Sequence, residues 1–141
     1  MIKQILLSTL GSLGFGFIFN IKGKKLIFAS LGGGLGWGIY NLLTRLNTSV
    51  LFAMFCASIA ISIYCEIAAR LLKSPVTTFI IVSLIPLVPG SGMYYTMYET
   101  IQGNTSKAIH TGISTLACAG TLAIGIILVS SITRQIAKRK L

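Results

Sequence analysis

Long stretches without charge dictate what this chain can fold into. Between Lys3 and Lys22 lie 18 uncharged residues. Lys25 to Arg45 encloses 19, Arg45 to Glu66 encloses 20, Lys73 to Glu99 encloses 25, and Lys107 to Arg134 encloses 26, counting His110 as neutral. A helix needs about 20 predominantly apolar residues to cross a bilayer. Five such stretches use up nearly all of the 141 residues and leave no room for a soluble domain. The composition agrees: 54% hydrophobic against 10% charged residues is more apolar surface than one core can bury, so lipid must cover the excess. The expected fold is an all-α integral membrane protein. It is a single transmembrane domain over residues 1–141, a bundle of five helices with spans near 5–19, 26–43, 49–67, 76–98 and 109–132, the fourth broken at a P-x-x-P-G motif.

The net charge of +10 is explained by topology rather than by nucleic acid, because the cations sit at span ends and no aromatic-interleaved basic stripe occurs. With five spans, Lys22, Lys24, Lys25, Arg70, Lys73, Arg134, Lys138, Arg139 and Lys140 share one side, and Lys3, Arg45 and Lys107 the other. Nine cations against three place the N-terminus outside and the C-terminus in the cytoplasm. Residues 1–17 mimic a signal peptide, but no A-x-A cleavage pattern comes after Lys3 and its apolar run, so the segment reads as a retained first helix. Cys56, Cys65 and Cys118 show no C-x-x-C spacing, which supports neither zinc nor a disulfide framework, and no cofactor is implied. Two carboxylates and one histidine lie in separate loops or span ends, an arrangement that excludes most catalytic constellations.

Small residues punctuate the spans. Ser8, Ser12 and Gly16 recur every four residues in the first, and Gly32/Gly36 and Gly34/Gly38 form overlapping G-x-x-x-G pairs in the second. Such faces let helices approach closely in lipid. The glycine run lacks both G-x-G-x-x-G and a subsequent Gly-Lys-Ser/Thr, so nucleotide binding is not supported. Asn47-Thr48-Ser49 forms an N-cap cluster before the third span, and Ser74-Pro75 opens the fourth with serine as cap and proline in the first turn. Thr111, Thr115, Ala119 and Ala123 make a further small stripe in the last span.

The fourth span carries the chemistry. Pro86-Leu87-Val88-Pro89-Gly90-Ser91-Gly92 removes two backbone donors and loosens the next turn, so a straight helix is not expected. A break frees backbone N–H and C=O groups that lipid cannot satisfy, and these must face protein or water. The half-helix starting near Gly90–Gly92 offers free N–H groups and the positive end of its dipole to a carboxylate, with Ser91 and Tyr94 as further donors. A structural proline kink is the competing reading. Glu66 and Arg70, four apart on one helix face, are either an interfacial ion pair or part of a solute or coupling path. His110 is either a headgroup-level residue or a proton relay.

The stretch from Phe79 through Pro86, Pro89, Gly90, Ser91 and Gly92 to Tyr94 resembles the signature of the bacterial threonine/serine exporter (ThrE) family. The whole chain is similar to its small, YjjB-like subunit. The likeness includes Gly14-Phe15-Gly16-Phe17 to Asn20, the glycine-rich second span and Arg70 closing the third. The resemblance implies export of small carboxylate-bearing solutes, either hydroxy amino acids such as threonine and serine or dicarboxylates such as succinate. It also implies a larger partner membrane subunit, fused to this module in some relatives. The expected assembly is two five-span halves in inverted orientation, joined through the glycine faces of the first two spans. The rival readings are a holin-like pore-forming protein and a non-transporting assembly subunit.

Overall fold

The computed structural model describes the backbone of residues 1–138; the expectations placed on Arg139 and Lys140 lie outside it. Among the described residues the chain is all-helical. The helices are α1 (Ile2–Ile18), α2 (Lys24–Arg45), α3 (Val50–Leu71), α4 (Val76–Leu84), α5 (Gly90–Ile101) and α6 (Thr105–Lys138), with a 3₁₀ turn, Ile85–Leu87, between α4 and α5. Helices α2, α3 and α6 are long and apolar enough to cross a membrane. The α4–α5 pair, bent by 52°, makes a fourth crossing if it is one span. The 17 residues of α1 are apolar but shorter.

Four of the connections share one local chemistry. After α1, α2, α3 and α5 the chain passes through a left-handed residue, respectively Asn20, Asn47, Lys73 and Gly103. At each, the next amide reaches back to a carbonyl in the last turn of the helix: Ile21 N–H to Gly16 O, Thr48 N–H to Leu43 O, Ser74 N–H to Ala69 O, and Asn104 N–H to Glu99 O. This is the Schellman cap, which satisfies carbonyls that the helix end would otherwise leave open. Ser49 caps α3 as its sequence suggests, its hydroxyl accepting from Phe52 N–H at 3.3 Å. The expected cap of the next helix is corrected. Pro75 itself is the N-cap of α4, and the Ser74 hydroxyl donates backward to Leu72 O at 3.0 Å because the preceding Schellman turn already orients it there.

Helix α2 is the centre of the bundle, packed by α1, α3 and α4. Its glycines make this possible. A Cβ on Gly33 or Gly34 would run into Ser12 or Thr9 of α1, one on Gly32 into Ser83 of α4, and one on Gly36 into Ile61 of α3. Hydroxyls then bond to α2 carbonyls from three directions: Ser8 to Gly33 O at 2.9 Å, Tyr64 to Phe28 O at 2.9 Å, and Ser83 to Ala29 O at 2.9 Å. The Ser8–Ser12–Gly16 face and the α2 glycines are therefore spent inside this chain. That corrects the expectation that they join two halves of an assembly. The core they enclose contains Ala29, Ala57, Ile61, Cys65, Phe79, Val82 and Leu87.

The second half of α6 packs on α3, where Gly125 fits against Ser58. Its first half packs on α5, with Gly92 against Thr115 and Gly112 against Thr96. Of the expected α6 stripe, Thr111 and Thr115 are half-buried, while Ala119 and Ala123 are exposed. The buried line instead passes through Cys118, Leu122, Gly125 and Val129, one residue round the helix. Cys65 and Cys118 are buried, Cys56 is half-buried, and all three are free thiols.

Candidate functional site

Two prolines stop α4 in mid-course. Pro86 cannot continue the i→i−4 ladder, and the chain tightens into the 3₁₀ turn, Val88 N–H bonding to Ile85 O at 3.2 Å. Val88 is extended, Pro89 turns the chain in an inverse γ-turn (φ −75°, ψ 58°), and α5 begins at Gly90. Pro89 offers α5 no side-chain cap. Gly90 N–H turns back onto Val88 O at 2.7 Å, and Met93 N–H, on Pro89 O at 3.2 Å, is the first α5 amide to close an α-helical bond. The amides of Ser91 and Gly92 therefore point out of the helix end, at the positive pole of a 12-residue helix.

The bend carries α5 away from α2 and α3 and opens a cavity of about 400 Å³ in its crook. Pro86, Leu87, Val88 and Pro89 form its floor. Ser91 and Gly92 line one side together with His110, Thr111, Ser114, Thr115 and Cys118 of α6, and Trp37, Tyr40 and Met54 of α2 and α3 the other. Trp37 and Tyr40 pack ring against ring, with centroids 5.4 Å apart. A second cavity, about 360 Å³, lies on the far side of Trp37 and Pro86, against Gln4, Leu7, Ser8 and Gly11 of α1. The break is thus open from two sides. Close to it, the fully buried Ser12 hydroxyl has no hydrogen-bond partner.

Of the residues singled out from sequence, Pro86, Pro89, Ser91, Gly92 and His110 come together around the larger cavity. Gly90 lies between two lining residues without lining it, and a Cβ there would meet nothing within 4 Å. Tyr94 does not line it. Its exposed ring stacks on Tyr98 at 6.2 Å and meets Tyr95 edge-on at 5.4 Å. Glu66 and Arg70 sit at the other end of the bundle. There Glu66 accepts from the Thr133 hydroxyl at 3.0 Å and lies 3.9 Å from Arg70. Sequence reasoning passed over Trp37, Tyr40 and Ser114, and took Thr111 and Thr115 for packing and Cys118 for a buried thiol rather than for a site wall. The signal for that wall was present: His110, Thr111, Ser114, Thr115 and Cys118 recur at helical spacing, a polar face in an otherwise apolar span.

A profile described as "Threonine/Serine exporter, ThrE" matches residues 4–132. The chain belongs to the threonine/serine exporter family. As an exporter-family protein with helices able to span a bilayer, it is a membrane protein of a transporter family rather than of an enzyme class. A Haemophilus influenzae protein described only as uncharacterised is 27% identical over 103 residues, which cover 72% of this chain and 34% of the relative. The chain thus spans about a third of the length of that relative. No solved structure matches it.

Proposed function

We propose that this ThrE-family chain is the membrane subunit of a secondary exporter of small carboxylate-bearing solutes, threonine/serine-type amino acids or dicarboxylates such as succinate, acting with a larger partner membrane subunit. In this reading it resides in a bacterial inner membrane with five crossings, α1 and the α4–α5 pair included. Its N-terminus is outside and its C-terminus cytoplasmic. The observation that carries the proposal is the pair of open amides, Ser91 and Gly92, at the wall of a cavity inside the bundle. A carboxylate placed there meets two N–H donors and the favourable end of the helix dipole without desolvating a fixed cation. Thr111 and Ser114 can serve its hydroxyl or second polar group, and Trp37 and Tyr40 supply the apolar wall. Glu66, Arg70 and His110 are the titratable groups available to a coupling path.

The test is efflux of labelled threonine, serine and succinate from cells expressing equal amounts of each variant. Gly90→Val should lose most of the export. A Cβ at Gly90 meets no atom within 4 Å, so the loss would report obstruction at the helix end rather than a clash at the point of attachment. Pro89→Ala restores a backbone donor and should impair export as well. Export at the wild-type rate by both variants would place the solute elsewhere.

A further inference from the structure

The two cavities share Trp37 and Pro86 as lining and form a cleft interrupted by these two side chains, bounded by α1 on one side, by the α5–α6 hairpin on the other and by the helix break between. Its α5–α6 side is polar where a lipid-facing surface must be apolar. Ser91, His110 and Ser114 are exposed there, together with two open amides. Hydrocarbon cannot satisfy such groups, so they must meet protein or water held off the lipid by protein. The α1 wall suits a helix. Gln4, Leu7, Gly11 and Gly14 succeed one another at helical spacing on its exposed side, and a Cβ on Gly11 or Gly14 would meet nothing within 4 Å. These two glycines, unlike those of α2, are not used within the chain, and they leave a shallow, close-approach track in the wall.

We infer that this cleft seats a transmembrane helix of a larger partner half, which closes the site from the side. The inference rests on the exporter reading and names where its partner docks. The occupant is argued from length: the Haemophilus influenzae relative carries about two thirds of its chain outside the region that matches this one. A partner of that origin supplies chain that this one does not have, whereas a second copy would bring another open cleft needing closure.

The experiment places photo-reactive benzoylphenylalanine at Leu7 and Ser114, one on each wall, and at Leu116 on the outer face of α6, in the full chain in its native membranes. Leu7 and Ser114 should each give an adduct with the same larger multi-span chain, one similar in sequence to the unmatched two thirds of the Haemophilus influenzae relative. Leu116 should give none. Gly11→Leu and Gly14→Leu should each lower the adduct yield about tenfold without lowering the thermal unfolding temperature of the purified chain, since a Cβ at either site meets nothing within 4 Å and leucine favours the helix more than glycine does. Adducts at twice the 15.1 kDa of this chain, adducts with an unrelated protein or with lipid alone, or yields indifferent to both glycine variants would overturn the inference. Efflux measured in the same cells separates the two ideas. Export with the large chain captured at Leu116 instead removes the docking surface and keeps the exporter. Adducts as expected without export of any tested solute keep the surface and remove the exporter.

Discussion

Ser12 and Ser83 are both fully buried beside glycines of α2, yet their hydroxyls stand in opposite conditions. Ser83 donates to Ala29 O and accepts from the Cys65 thiol at 3.6 Å. Ser12 has no partner. Removing a satisfied buried hydroxyl loses a bond worth about 0.5–1.5 kcal/mol, whereas removing an orphaned one relieves a desolvation cost of about 1–3 kcal/mol. Ser83→Ala should therefore lower the unfolding free energy in detergent by about 1 kcal/mol, and Ser12→Ala should leave it unchanged or raise it. A loss on Ser12→Ala as large as on Ser83→Ala would show that the Ser12 hydroxyl is satisfied after all. If Ser12→Ala stabilises the fold but slows export, the hydroxyl serves the adjacent break rather than the packing. Tyr94 illustrates the limit of sequence spacing. It comes within one turn of Gly92, but α5 turns its ring outward, and Tyr94→Phe should leave export close to wild type in the efflux assay.

The stop between α4 and α5 falls where the two prolines put it, because proline chemistry is local: two missing donors three residues apart interrupt a ladder wherever they occur. The direction of the bend was not legible. Which way α5 swings depends on the fit of Gly92 to Thr115 and of Gly112 to Thr96, contacts between segments some twenty residues apart that no single-helix pattern reveals. The same reason hid the use of the α2 glycines. G-x-x-x-G announces close approach but does not say to what, and here three neighbouring helices of the same chain take it up. The α5–α6 fit makes a testable pair. Gly92→Ala should loosen the hairpin by about 1–3 kcal/mol through overpacking, and Thr115→Ala, by removing the atoms the new methyl meets, should recover part of that loss. Thermal unfolding of the two single variants and the double variant measures the coupling, and strict additivity would mean the two side chains do not meet.

At the scale of the whole molecule, the contacts sort the helix ends without any membrane present. Phe19 and Ile21 lie beside Thr77 and Thr78, and Glu66 beside Thr133, so the α1–α2 turn, the α3–α4 turn and the end of α6 share one pole. Gln4 and Asn41, bonded at 3.0 Å, mark the other. Lys22, Lys24, Lys25, Arg70, Lys73 and Arg134 fall at the first pole, and Lys3, Arg45 and Lys107 at the second, the segregation on which the charge argument relies. Reporter fusions should accordingly place Lys24 and Lys138 in the cytoplasm and Asn104 outside. A C-terminal reporter active outside would sink the proposed orientation. Charge spacing suggests five spans, whereas three helices, or four with the bent pair, are long and apolar enough to cross, since caps and turns rather than charges set where a helix stops. The 17 residues of α1 reach about 25 Å and the 34 of α6 about 51 Å, against a hydrocarbon core of about 30 Å. With α1 as a crossing, the apolar belt is lopsided, and the bilayer must pinch inward along the Gln4–Gly14 flank. That distortion grows with acyl-chain length at a fraction of a kcal/mol per ångström, and a neighbouring helix laid over the flank abolishes it, so thicker membranes should drive this half towards its complement.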